Sequence, residues 1–510
     1  MSFYRHFEVI LATRKTLHSL RETPIPMRTC VARTATAVFL TTTALTTMAA
    51  PAFAQSASGQ PLSGQEADAL RAEVRELRSR LEALESRLGA STPAPLAAAA
   101  APGTPASPAP AAVAAAAAAD TAKKPADETA IAWKGSPQFT QGGKAFKVKG
   151  RIQADASFVS APKGLEDRGL GFTSEMRRLR LGGEGSLAKN LSYKLEFELS
   201  DNAVDLVDTF ITYKNGPWQV QLGNQNAFWS LDELTGDTSG SVMERAAFTD
   251  AFNFERRLGL GAQYTRGPLM AQLGVFTDDP SSLANSSDGV NGGDENNSYS
   301  IDGRLVFAPR LGDVQLHLAG SAHWRRLGRL ADSSTRYRQR PYAHGTNTRL
   351  IGTPAMTVED ETMYGAEVAA ISGRWWGVAE YYHLAADRVG LSTVGFQGAY
   401  GEVGYFLTGG DSRGYKGGIF TTNAPAHPLD KDGPGSIQVA LRYDWLDLND
   451  RDIRGGTQNG YIAALVWSPI QYLRFNVNYA LMHYTGATAL PSGDTSYNAN
   501  VVGTRFELDF

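Results

Sequence analysis

The sequence predicts an all-β protein: a sixteen-stranded antiparallel transmembrane β-barrel, preceded by a short α-helical coiled coil and a disordered Ala/Pro linker. Three observations carry that expectation. The last ten residues, VVGTRFELDF, place Val502, Thr504, Phe506, Leu508 and Phe510 on one face and Gly503, Arg505, Glu507 and Asp509 on the other. A two-residue period with one apolar face marks a strand half-buried against something apolar, and an aromatic as its final residue is similar to the signal read when bacterial outer-membrane barrels are assembled. The same alternation recurs from Phe146 onward in about sixteen segments of roughly ten residues, the length a tilted strand needs to cross the hydrocarbon. Short connections (188–190, 215–217, 267–268, 309–313, 372–374, 468–471) alternate with mostly longer polar ones (226–255, 278–297, 326–360), as periplasmic turns alternate with outer loops. The long stretch 408–434 breaks this rule, since the strand count puts it on the periplasmic side. A soluble β-sandwich would explain the alternation but not the leader, the terminal aromatic and the loop asymmetry together.

The elements follow in order. Residues 27–54 read as a secretory signal: Arg28 and Arg33, an apolar stretch, then Ala52-Phe53-Ala54 before Gln55. Residues 1–54 are therefore expected to be leader and signal peptide, with Met27 as the start and cleavage after Ala54. The only cysteine, Cys30, falls inside that segment, which excludes disulfides, thiol catalysis and cysteine-ligated metals from the mature chain. With 49 Lys and Arg against 52 Asp and Glu, no basic footprint for nucleic acid is present. No cofactor, no metal and no catalysed reaction are expected.

Residues 55–90 are expected to hold a periplasmic coiled coil. Ala67, Leu70, Val74, Leu77, Leu81, Leu84 and Leu88 recur at alternating spacings of three and four, flanked by Arg71, Glu73, Arg78, Arg80, Glu85 and Arg87. About three heptads favour self-association as a helper to an oligomer held together elsewhere. Residues 91–132, mostly Ala and Pro, cannot bury a core and act as an extended spacer reaching toward the cell wall. Residues 133–510 are the barrel.

On each strand the apolar face is legible, so the opposite face is the lumen. That test points Lys147, Lys149 and Arg151 inward on the first strand and, because Leu179 and Leu181 face out, Arg178 and Arg180 inward on the second. It also makes Arg257, Arg304, Arg325 and Arg442 lumenal, with Lys194, Arg474 and Arg505. Asp155, Glu184, Glu196, Glu198, Asp208, Asp302, Glu367, Asp444 and Glu507 share the lumen. Two readings stay open. The arginines form a ladder that hands an anion from site to site through forked, permanently charged donors, or they pair with the carboxylates and set local field and rigidity. Loop 326–360 is basic (Arg326, Arg329, Arg336, Arg338, Arg340, Arg349, His344), suited to attracting anions or to binding lipopolysaccharide phosphates.

The stretch 176–187 (MRRLRLGGEGSL), the runs LEFELS and VDTFITY, and VQLGNQNA at 220–227 resemble the phosphate-selective porin O and P family. So do LDELT, MERAAFTDAF and RRLGLG within 231–261, and FLTGGDSRGYK followed by ALRYDWLDL. The resemblance implies a sixteen-stranded trimeric outer-membrane barrel whose loop after the fifth strand folds inward as a constriction. It assigns the paired arginines of the second strand to Arg177 and Arg178, and the constriction loop to 226–255. That loop departs from the family's phosphate binders, which carry lysines and serines there. It offers Asp232, Glu233, Asp237 and Glu244 against the single base Arg245, with Ser230, Thr238, Ser239 and Ser241 as hydroxyl donors. The expectation is an outer-membrane porin passing small hydrophilic solutes, anion-preferring in the phosphate class. Its implied partners are outer-membrane lipid and lipopolysaccharide, two further copies of itself, small anions, and the cell wall through the coil. The alternatives are a general or sugar-type porin organised by aromatics such as Trp324, Tyr364 and Tyr400, or an envelope tether acting through the coil.

Overall fold

The computed structural model describes residues 129–160, 162–200, 204–277, 279–280, 298–327 and 335–510. The expected signal peptide, the coiled coil and all of the linker before residue 129 lie outside them. Sixteen long strands build the wall: β1 (Lys144–Val159), β2 (Gly171–Ala188), β3 (Leu191–Glu198), β4 (Asp205–Asn215), β5 (Trp218–Asn226), β6 (Arg256–Arg266), β7 (Leu269–Phe276), β8 (Tyr299–Phe307), β9 (Val314–Arg326), β10 (Val358–Ser372), β11 (Trp375–Arg388), β12 (Val394–Phe406), β13 (Ser436–Asp450), β14 (Ile453–Ile470), β15 (Leu473–Thr485) and β16 (Tyr497–Asp509). Each pairs antiparallel with the next, and β16 returns to β1 from Val501↔Val159 to Asp509↔Arg151, so the sheet closes and no edge is left.

The seam is finished by Gly150 and Phe510, whose backbones exchange two hydrogen bonds of 2.9 Å. A Cβ at Gly150 would stand 2.3 Å from the Phe510 ring, so only glycine admits the terminal aromatic there. Where β16 ends, a hairpin of Ala130–Trp133 with Pro137–Gln141 takes over its place beside β1 (Gln138↔Lys147). Gly216, Gly267, Gly312 and Gly373, at φ of 56–59°, sit in the tight turns on the same side of the barrel as that hairpin. Leu179, Leu222, Leu260, Leu305 and Leu441 are exposed on the outer face, the band that hydrocarbon covers.

The interior is not uniformly polar. Among the described residues three segments enter it: loop 227–255 after β5, residues 335–357 after β9, and turn 407–435 after β12, which sequence alone left unplaced. They dock on the inner face of β9–β15, where the inward rows mix apolar side chains with buried carboxylates and arginines. Phe248 stacks on Tyr382 at 5.0 Å, Trp229 meets Tyr382 edge-on at 5.4 Å, Phe252 meets Tyr337 at 6.4 Å, and Phe420 meets Trp376 at 5.7 Å. Leu384, Phe396, Leu446, Met482 and Tyr484 close this core. That half of the wall therefore holds loops by apolar burial together with buried polar contacts, and the arginine-rich cavity lies toward β1–β6.

Candidate functional site

Strand alternation would send Arg177 outward if Arg178 faces in. A β-bulge removes the conflict. Gln153 pairs with Arg178 and Ala154 with Met176, which leaves Arg177 as the extra residue. Arg177, Arg178 and Arg180 consequently all line one cavity of about 300 Å³. Its other walls are loop 227–255 (Asp232, Glu233, Asp237, Glu244, Arg245) and, from loop 327–357, Gln339, Arg340, Tyr342 and His344.

Asp237 stands at its floor. One carboxylate oxygen lies 2.9 Å from Arg178 Nε, 3.4 Å from Arg151 Nη1 and 3.4 Å from Arg180 Nη1; the other accepts from Arg245 Nη2 at 3.1 Å. Burial alone would raise this carboxyl, but the four guanidiniums hold it well below the usual carboxylate range. The arginines have further partners: Arg151 Nε meets Asp509 at 3.3 Å, Arg180 Nε meets Glu198 at 2.8 Å, and Arg178 Nη1 donates to Gln153 Oε1 at 2.8 Å. Arg177 differs. Among the described residues it makes no ion pair, and its buried Nε has no acceptor. Glu233 Oε2 is 3.5 Å from Arg245 Nε, a charge Arg245 shares with Asp237, and burial prevails: the Glu233 carboxyl is pushed up to about 8.

Wall carboxylates seat the loop. Its two short helices are α1 (Leu231–Leu234) and α2 (Ala247–Phe252). Glu380 accepts from the N–H groups of Leu231 (2.9 Å) and Asp232 (2.7 Å) at the start of α1, and Asp444 accepts from Ala247 N–H (3.0 Å) at the start of α2. Ser230, at φ 54°, caps α1 by accepting from Glu233 N–H at 3.1 Å. Ser241 donates to Glu402, and Arg442 joins Glu402 (2.7 Å) to Asp232 (3.0 Å). Arg505 pairs with Asp155 (2.7 Å) and Glu244 (3.2 Å).

Beneath the loop, turn 407–435 meets it. Thr422 Oγ1 donates to the Thr238 carbonyl at 2.8 Å and lies 3.0 Å from Ser239 Oγ, while Arg474 donates to the Thr238 and Gly240 carbonyls. A second cavity of about 240 Å³ opens there, lined by Lys147, Lys149, Thr238, Ser239, Arg474, Glu507 and Asp509. Lys149 is 4.0 Å from Glu184. A third, of about 260 Å³, is lined by Gln219, Gln221, Gln225, Gln263 and Gln272 with Phe210, Phe228 and Arg304.

The structure thus gathers Arg177, Arg178, Arg180 and Arg245 around one cavity, with Arg151 at its floor, and Lys147 and Lys149 around the next. It does not bring the remaining candidates there. Arg304 is held bidentate by Glu367 (2.9 and 2.6 Å) and by the Gly418 carbonyl, Arg257 and Arg325 lie 5.2 and 5.8 Å over the Phe254 ring, and Arg442 is buried under the loop. Arg256, not singled out in the sequence, also takes part, paired to Asp208 at 2.6 Å, and His344 of the basic loop stands 3.0 Å from Glu175 across the mouth. The RRLG doublet was a visible signal for Arg256.

Comparison with known proteins supplies the lineage. A Caulobacter vibrioides protein described as "Uncharacterized protein" is 56% identical over 447 residues, 87% of this chain and 90% of its own length. Among solved structures the chain is similar to in-vitro folded OmpT of Vibrio cholerae, with 12% identity over 73% of this chain and 99% of that one at a TM-score of 0.45. It is similar also to an anion-selective porin from Comamonas acidovorans, with 10% identity over 72% and 100% at a TM-score of 0.44. The family described as "Phosphate-selective porin O and P" matches residues 146–510, nearly the whole of the barrel with its inserted loop 227–255, and the chain belongs to that family.

Proposed function

We propose that this outer-membrane porin passes small hydrophilic solutes with a modest preference for anions of the phosphate class, through the cavity between β2 and loop 227–255. The observation that carries the reading is the unpaired guanidinium of Arg177 in that cavity. The acidic loop argues against strong selectivity, because Asp237 and Glu198 answer Arg178, Arg180 and Arg245. The balance still leaves a cation: among the described residues Arg177 makes no ion pair, the carboxylates that feel its charge, Glu244 and Glu175, being engaged by Arg505 and His344, and Glu233, with its carboxyl near 8, is mostly neutral at pH 7. Lys147 and Lys149 continue the positive lining below the constriction. Several weak sites in series let an ion leave as readily as it entered. Ser230 caps α1, Ser241 bonds Glu402 of the wall and Ser239 bonds Thr422, while Thr238 and Ser239 line the cavity below.

A second reading, neutral-solute diffusion, is favoured by the cavity lined with five glutamines and two phenylalanines, which supplies amide donors and acceptors beside apolar faces. The test is the reversal potential of purified protein in a planar bilayer under a KCl gradient at pH 7, repeated with phosphate. Anion selectivity with chloride current reduced by phosphate supports the first reading; cation selectivity untouched by phosphate overturns it. As further proposals, the mature protein starts after the signal peptide and assembles as a trimer, with the coil at 55–90 reinforcing it from the periplasm and the linker 91–132 setting the reach toward the cell wall.

A further inference from the structure

At the base of turn 407–435 lies a small cavity of about 30 Å³, apart from the three already described. A space of that size holds one monatomic ion or about two waters. Its lining joins the turn (Ser412, Arg413, Asn423) to the wall (Gln438 of β13, Arg474 of β15).

Arg413 makes the site unusual. It is 9% exposed, and its guanidinium lies against the Trp376 and Phe420 rings, 4.7 and 4.6 Å from their centroids. Among the described residues no carboxylate pairs with it, and its Nε has no acceptor. Asp411, the carboxylate in the lining, is turned to its own loop: it accepts from Ala426 N–H at 2.8 Å and from the Thr408 hydroxyl. Gln438 Nε2 is a second buried donor without an acceptor. Burial brings Arg413 down to about 10, which leaves it a cation at neutral pH. Glu402 acts on Arg413 from further off but is paired to Arg442; a buried charge without a direct partner is costly, and aromatic faces offset only part of that cost. Water filling the cavity would accept hydrogen bonds but would not neutralise the charge.

We propose that this cavity binds a chloride-sized inorganic anion between Arg413 and Gln438, and that the bound anion ties the inserted turn to the barrel wall. The site is independent of the selectivity of the pore and stands whether or not the pore prefers anions. Crystals of the full-length protein soaked in sodium bromide test it through anomalous difference density. The expected result is a peak beside Arg413 Nε and Gln438 Nε2 that disappears in Arg413→Gln. Should that variant fail to assemble, Gln438→Leu keeps the charge, removes one donor, and is expected to weaken the peak. No peak in the wild type, or an undiminished peak in the variant that assembles, overturns the site, and arsenate occupying it in place of bromide overturns the size class. In solution, exchanging chloride for gluconate at constant ionic strength is expected to speed tryptic cleavage after Lys416 several-fold; equal rates overturn the tie between anion and turn.

Discussion

Arg177 and Glu233 decide the sign of the constriction in opposite ways. Among the described residues Arg177 is the guanidinium of the cluster that makes no ion pair, although Glu244 and Glu175 feel its charge, so it is the least shielded charge an anion would meet there. A unit charge about 4 Å from an ion is worth at least about 1 kcal/mol even at the dielectric of water, so Arg177→Gln is expected to lower the anion-to-cation permeability ratio about fivefold, read from reversal potentials. Glu233 supplies a pH dependence. Below about pH 8 its carboxyl is protonated and adds no charge; above that it adds one negative charge beside Arg245. Anion preference should therefore fall between pH 7 and pH 9, and Glu233→Gln should remove that step. A step that persists in the variant assigns it to another group.

The constriction loop is held as a unit by the wall carboxylates beneath it. Glu380 serves two N–H groups of α1 and also accepts from Tyr400 Oη at 2.8 Å. Glu380→Ala leaves two buried N–H groups unmatched, a loss of about 2–5 kcal/mol, while the apolar contacts of Phe248 and Trp229 remain. The loop should loosen without the barrel opening, so single-channel conductance is expected to rise and grow noisier while the folded barrel still runs compactly on a gel. Unchanged conductance would show that the apolar docking alone fixes the loop. At this scale the sequence was only partly readable. Strand alternation exposes which residues face inward, because one face must meet lipid; Arg178, Arg180 and Asp155 were visible that way. It does not tell which inward residues meet water and which meet an inserted loop, so Arg304 and Arg442 look like lumenal cations yet lie against Glu367 and Glu402. The bulge at Arg177 breaks the period on which the reading depends, and only the family resemblance pointed to that residue.

Across the whole molecule, closure between β16 and β1 removes every edge, and the alternating pattern with short turns suffices to foresee it. The partners of Asp237 were not foreseeable, because Arg151, Arg178, Arg180 and Arg245 reach it from two strands and a loop. For the assembly, deleting residues 55–130 is expected to leave the conductance of each pore unchanged and to lower the temperature at which a trimer band dissociates in detergent. A trimer equally stable without them would confine that segment to a role outside oligomerisation. The central claim is that a resident carboxylate, Asp237, offsets an arginine cluster that would otherwise select anions strongly. The most direct measurement compares reversal potentials of the wild type and Asp237→Asn in the same KCl gradient. The account predicts a modestly anion-selective wild type and a variant displaced well toward the anion limit, about 59 mV for a tenfold gradient. A variant that is unchanged, or that shifts toward cations, would contradict it.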